Sequence, residues 1–217
     1  MQPTYWRSID HIIGAATADD FDTIGQKETR EAIESFVLEY SDRSTRLLDV
    51  GCNTGVEGYR LFQRNFPGLY IGIDSNAKAL GYAMVNLSGH PASVALADAS
   101  SLPYPDESFD IVLSKDVIEH AEHYGEILKE LARVARQRVI LSMFIRPHDL
   151  PDEIRREPQG FHHNRYNRDG IYSLMRGSGF GQPSIIHTGQ PGHSGFQDEV
   201  LVFERLPLSI RKAISIE

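Results

Sequence analysis

The sequence predicts an α/β protein: a doubly wound, mostly parallel seven-stranded sheet that closes on a C-terminal antiparallel hairpin. Three observations carry this. From Arg46 onward, short apolar runs of strand length alternate with stretches of helical periodicity, as crossover helices on a parallel sheet require. The run Arg138–Phe144 is apolar on both faces, the mark of a strand covered on both sides. The last two strand-like runs are joined by a Gly/Pro-rich stretch instead of a helix, which calls for a hairpin.

Residues 1–45 read as an N-terminal extension with one helix, in which Ala32, Ile33, Phe36, Val37 and Tyr40 recur on one face. Arg46–Val50 is a short strand running into a glycine-bearing turn, with a helix following through about Asn65. Leu69–Asp74 is the second strand, and a second helix covers about Asn76 to Leu87. Ser93–Ala97 and Phe109–Ser114 are strands three and four, linked by a proline-bearing connection. Glu122–Ala135 is amphipathic, with Ile127, Leu128, Leu131 and Val134 on one side. After the Arg138–Phe144 strand, a long loop carries Pro147, Pro151 and Pro158. Asp169–Ser178 is helical, and Gly179 stands where a C-terminal cap belongs. Ser184–His187 and Glu199–Phe203 form the hairpin, with the antiparallel edge strand expected last. This divides the chain into a 1–45 extension, a 46–206 main domain and a 207–217 tail.

The chain has 217 residues, 41% of them hydrophobic and 24% charged, enough for one α/β domain. No apolar run approaches the roughly 20 residues of a membrane span, and the first ten residues lack a signal-peptide pattern. The single cysteine, Cys52, excludes an internal disulfide framework and fits a reducing cytoplasm. A net charge of -8 argues against indiscriminate nucleic-acid binding.

The segment Leu47-Leu48-Asp49-Val50-Gly51-Cys52-Asn53-Thr54-Gly55 carries most of the functional argument. Glycine after a strand lets backbone approach a ligand closely. The dinucleotide spacing G-x-G-x-x-G fails, because Asn53 and Val56 stand at its second and third positions. No Gly-Lys-Ser/Thr follows, so the phosphate-loop pattern fails too. What remains is an acid at a strand end followed by Gly-x-x-x-Gly, suited to a ligand with an amino-acid tail and no phosphate. The next strand ends in Asp74, placed to accept bonds from ribose hydroxyls. Strand three ends at Ala97-Asp98-Ala99, where a third carboxylate can meet an adenine amino group. Each aspartate alone could simply cap a turn; three at consecutive strand ends point to a ligand edge.

The series Leu47–Gly55, Tyr70–Asp74, Ala97–Pro105 and Phe109–Ser114 resembles the class I, Rossmann-like S-adenosylmethionine-dependent methyltransferases, over roughly residues 46–205. The resemblance implies a site in which Asp49, Gly51, Asn53 and Gly55 hold the methionine portion, and Asp74 with Ser75 holds the ribose. It also implies that Asp98 and Ala99 hold adenine and that Ser114 and Lys115 line the methionine side. Asn53 departs from the family's glycine; asparagine tolerates positive φ, so the turn should be preserved.

Methyl transfer needs an aligned nucleophile and a route for its proton. Three readings compete for Ser114–His123 and Phe161–Tyr166. His120 or His162 could be a general base near neutral pH. If the segment is helical, Asp116, Glu119 and His120 share a face and could hold a divalent metal. That would resemble the Glu-x-x-Glu-His element of ubiquinone-type and small-RNA methyltransferases, with Asp116 in place of the first glutamate. Alternatively, Glu119-His120 serves only packing. The expectation is a small-molecule O- or N-methyltransferase, with no metal required and no membrane partner. A cofactor-binding protein without transfer activity and an RNA methyltransferase are the alternatives. Residues 1–45 and the 145–166 loop should cover the substrate.

Overall fold

The computed structural model describes residues 26–146, 150–158, 161–189 and 197–214. Strands β1 (Arg46–Val50), β2 (Leu69–Asp74), β3 (Ala92–Leu96), β4 (Phe109–Lys115), β5 (Ala135–Phe144), β6 (Ser184–Thr188) and β7 (Asp198–Glu204) form one sheet, ordered β3-β2-β1-β4-β5-β7-β6. The first five run parallel. Strand order reverses between β1 and β4, so the connections leaving them diverge and open a crevice at their carboxyl ends.

Alternation along each strand divides the core between two faces. Leu47, Ile111, Leu113 and Ile140 point to one face and pack with Ile33 and Val37 of α1 (Lys27–Glu39) and Leu61 and Phe62 of α2 (Val56–Gln63). Their strand neighbours Leu48, Val112, Val139 and Leu141 point to the other. There they meet Ile127, Leu128 and Leu131 of α4 (Tyr124–Val134) and Ile171 and Met175 of α5 (Arg168–Gly177). Helix α3 (Ala77–Asn86) starts at Asn76, whose side-chain oxygen accepts from the amides of Lys78 (3.0 Å) and Ala79 (3.1 Å). Gly179 ends α5 at φ 88°, as a C-terminal glycine should. Arg205 closes the far end of α4, its Nε donating to the Ala135 carbonyl at 3.0 Å while its guanidinium lies over the Phe180 ring.

One sequence expectation is corrected here. The last strand is not the edge: β7 lies antiparallel between β5 and β6, leaving β6 outermost. Burial decides this, since Val200–Phe203 are at most 2% exposed whereas Ile185 of β6 is 49% exposed. The apolar face expected of the N-terminal helix packs against the sheet. Ile33 and Val37 belong to the same core as β1 and β4, and Glu34 pairs with Arg60 and Arg64. Residues 1–25, where the rest of the expected extension falls, lie outside the described residues. In the tail, α6 (Leu208–Ile214) is anchored by Arg211, whose Nη1 donates to Glu107 at 2.9 Å.

The 145–166 segment carries its own small ribbon. Glu153 and Arg165 exchange backbone bonds of 2.8 and 3.0 Å, and His163 N donates to the Arg155 carbonyl at 2.8 Å. No helix among the described residues is long and apolar enough to cross a membrane.

Candidate active site

The turn after β1 is shaped by three residues at positive φ: Gly51 (83°), Asn53 (49°) and Gly55 (81°). Asn53 therefore preserves the turn, as its tolerance of that region predicts. The Gly51 and Cys52 amides donate to the Ile73 carbonyl at 2.8 and 2.9 Å, tying the turn to β2. A Cβ on Gly51 would stand 2.3 Å from Val117 Cγ2, so only glycine fits between the turn and the chain leaving β4. Cys52 is a buried filler whose thiol pKa is pushed up by burial.

Two of the three predicted carboxylates line this turn. Asp49 is 1% exposed and accepts the Tyr70 hydroxyl at 2.5 Å. Burial raises its pKa to about 6, opposed by the Tyr70 bond and reinforced by the charge of Asp74. Asp74 accepts the amides of Asn53 (2.9 Å) and Asn76 (2.8 Å), yet burial keeps its pKa above the ordinary value. Asp98 differs. Strand β3 ends at Leu96, and Asp98 lies exposed in the following turn, accepting Ser100 N at 2.9 Å. Ser75 and Ala99 are half-buried beside these two carboxylates in the chain. Ser114 is fully buried and its Oγ has no hydrogen-bond partner among the described residues. Lys115 pairs with Asp116 and reaches the Gln26 side chain.

The expected helix after β4 does not form. Asp116 sits at φ 53°, and only a single 3₁₀ turn, Ile118–His120, precedes α4. Asp116, Glu119 and His120 therefore share no helical face. The cause is local: Asp116 turns back to Lys115 and accepts Ser142 Oγ at 2.9 Å. Burial opposes its ionisation, but Lys115 and Ser142 hold its pKa below the ordinary value. Glu119 is fully buried, with neither carboxylate oxygen bonded among the described residues. Burial and the Asp116 charge push its pKa far up, so it is a neutral acid. His120 Nδ1 lies 2.9 Å from the His162 carbonyl, and burial lowers its pKa to about 4. His162 is half-buried; its Nδ1 is shielded from solvent without a partner among the described residues. His163 lies between the rings of His120 (5.9 Å) and Phe144 (5.3 Å). Among the described residues no three His, Cys, Asp or Glu side chains gather as metal ligands. With Asp116 committed to Lys115 and Ser142, the predicted donor set does not fit an ion.

Several residues of the site escaped sequence reading. Arg30 of α1 pairs with Glu57 of α2, and its charge acts on both Asp49 and Asp116. Asn164 donates through Nδ2 to the Ala121 carbonyl (2.7 Å) and the Tyr166 hydroxyl (2.8 Å), and through its amide to the Glu119 carbonyl (2.9 Å). Tyr166 Oη lies 3.0 Å from the Ile118 carbonyl. Together they clamp the 118–121 turn, with Tyr166 as a fully buried brace. Nothing in local periodicity pairs residues 27 or more positions apart.

Comparison with known proteins bears on the fold and the family. Residues 48–143 match the methyltransferase-domain family. The chain is 27% identical over 133 residues to phosphoethanolamine N-methyltransferase 1 of Arabidopsis thaliana, an alignment covering 59% of this chain and 26% of that protein. Its fold matches the 1,6-didemethyltoxoflavin-N1-methyltransferase of Burkholderia thailandensis, solved with 1,6-didemethyltoxoflavin and S-adenosylhomocysteine, at TM-score 0.67 and 15% identity over 92% of both chains. It matches the [4+2]-cyclase SpnF at TM-score 0.67 and 18% identity, over 88% of this chain and 86% of that one. The chain spans only 20–40% of the length of the curated relatives it matches first. Sheet order, glycine turn and family match define a Rossmann-like methyltransferase fold. Over residues 48–143 the chain is similar to the methyltransferase-domain family.

Proposed function

We propose that the protein transfers a methyl group from S-adenosylmethionine to an oxygen or nitrogen of a small molecule. The observation that carries this reading is the Gly51 cradle: a turn with no room for a Cβ, flanked by the buried carboxyl of Asp49 and the half-buried carboxyl of Asp74 at adjacent strand ends. Ser114 Oγ, buried and unpartnered among the described residues, supplies a further polar atom for a ligand. Gly51, Asn53 and Gly55 would take the methionine portion with Asp49 at its ammonium, and Asp74 with Ser75 the ribose. Asp98 and Ala99 would take adenine, and Ser114 and Lys115 the methionine side. The bound cofactor supplies an electrophilic methyl on a sulfonium, so the protein's task is alignment and proton removal. His120 and His162 are the candidates for that proton; at about 4, His120 is neutral at physiological pH and only a weak base.

The named acceptors of the relatives, phosphoethanolamine and didemethyltoxoflavin, are small molecules, which supports a small acceptor here. Residues 1–45 and the 145–166 loop are the parts of the chain we assign to covering it, and the cytoplasm is the compartment we assign. A cofactor-binding protein without transfer remains the second reading, because the fold is shared with a protein named for a different reaction. Calorimetry with S-adenosylhomocysteine tests the first claim: one site per chain, weakened by about 1.5–3 kcal/mol in Asp74→Ala. A folded protein that binds neither form of the cofactor refutes it. Methyl-labelled cofactor incubated with cell extract should then label a low-molecular-weight acceptor; label only in nucleic acid or protein refutes the acceptor class.

A further inference from the structure

Where the chain leaves β4, acids outnumber cations. Val117 stands against Gly51, so this stretch borders the proposed cofactor cradle, and Glu119 follows two residues later. Lys115 pairs with Asp116, which also accepts Ser142 Oγ, and Arg30 pairs with Glu57. Asp198 and Glu119 have no such cation. Asp198, at the start of β7, is level with Phe144 at the end of β5, and its side chain accepts only the Thr29 hydroxyl (2.8 Å) among the described residues. Glu119 accepts nothing: it is 0% exposed, and neither oxygen has a hydrogen-bond partner among the described residues. The charges of Asp116 and Asp198 both act on Glu119, so the three acids gather from β4, the 3₁₀ turn and β7. The other titratable groups facing Glu119 are Lys115 and the Tyr166 hydroxyl. Gln26, which Lys115 reaches, and Thr29 bring the start of α1 to the same place.

A buried carboxyl without a donor is costly, and a like-charged neighbourhood adds to the cost. The arrangement is not a metal cage, because no three His, Cys, Asp or Glu side chains among the described residues stand close enough to share an ion. An alcohol entering here could bond Glu119 but would bring no charge to offset the acids. An ammonium ion brings both a positive charge and several N–H donors. We propose that the methyl acceptor carries a basic amine, held as its ammonium ion between the carboxyls of Glu119 and Asp198. The inference rests on the methyltransferase reading above and gives its acceptor a chemical class. Burial and the Asp116 charge keep Glu119 neutral in the free protein. An entering ammonium ion therefore displaces the Glu119 proton to solvent and pairs with the carboxylate that is left.

The test is titration calorimetry at pH 7.5 on the protein with and without saturating S-adenosylhomocysteine, in phosphate and in HEPES, two buffers of different ionisation heat. The probes are ethanolamine and benzylamine, each beside its alcohol counterpart, ethylene glycol or benzyl alcohol, and magnesium chloride. At least one amine should bind about tenfold more tightly than its alcohol. The buffer dependence of its heat should report release of about one proton per molecule bound. Glu119→Gln, close in shape to the neutral acid, should abolish the proton release and weaken the amine about tenfold or more, with S-adenosylhomocysteine affinity unchanged. Asp198→Asn keeps an acceptor for the Thr29 hydroxyl and should also weaken the amine. The proposal is overturned if no amine binds, if an amine binds no better than its alcohol or without proton release, or if Glu119→Gln binds it as wild type does. Binding of magnesium without any amine would give the acids to a metal and overturn it as well. A protein that binds an amine in this way but not S-adenosylhomocysteine would instead sink the methyltransferase reading alone.

Discussion

Glu119 shows how a single side chain can weigh against its own fold. Its carboxyl is fully buried, unbonded among the described residues and kept neutral by burial and by Asp116. A buried polar group without partners costs roughly 1–3 kcal/mol. Glu119→Met, similar in length and apolar, should therefore raise stability by about that amount in urea denaturation. A loss of 1 kcal/mol or more would mean the carboxyl has a partner that contributes to folding. The side chain adds nothing to the clamp on this turn, because Asn164 bonds the Glu119 backbone carbonyl. The clamp should survive the substitution. Any fall in methyl transfer by Glu119→Met would then report on the acceptor site.

At the scale of elements, β1 and β2 were legible to the residue, Arg46–Val50 and Leu69–Asp74, because continuous apolar runs under two helical layers leave little choice of register. Strand β5 begins three residues before the apolar run, at Ala135. Its first turn of sequence is polar because Arg136 and Gln137 bond Asp110 across the strand starts. The glycine turn was legible for the same kind of reason, since its residue types are dictated by φ. The segment after β4 was not: its helical spacing lost to the Lys115–Asp116 pair and to Asp116 at positive φ, both set by tertiary neighbours. Three substitutions test these elements. Ile33→Ala should cost about 2–5 kcal/mol if α1 is core, and far less if it were a detachable cover. Gly51→Ala carries two penalties, a left-handed φ worth roughly 1–2 kcal/mol and a clash with Val117. Val117→Ala removes only the clash. A double-mutant cycle in chemical denaturation should show a favourable coupling of about 1–3 kcal/mol; additive effects would place Val117 elsewhere.

Across the whole molecule, the proposed cofactor binding and the stability of the fold meet at Asp49. Its folded pKa of about 6 lies above the ordinary 3.8, so between those values the native state holds more protons than the unfolded one. The sign follows: stability falls as pH rises from about 4 through 6, by roughly 3 kcal/mol for a two-unit shift. Asp74, also raised by burial, acts in the same direction. Ligand binding should run the opposite way, because an ammonium group is best held by ionised Asp49. At 100 times its dissociation constant, S-adenosylhomocysteine adds about 2.7 kcal/mol, or roughly 5–10 °C in Tm for a chain of this size. At the same ligand concentration the rise should be clearly smaller at pH 5, where Asp49 is mostly protonated. Asp49→Asn keeps an acceptor for the Tyr70 hydroxyl but cannot ionise. Without ligand it should melt above wild type at pH 7.5, lose most of that advantage at pH 5, and show little ligand-induced rise at either. Differential scanning calorimetry of both proteins at the two pH values decides the matter. A ligand-induced rise independent of pH in wild type, or no gain from Asp49→Asn at pH 7.5, would show that the buried carboxyl does not link folding to the cofactor.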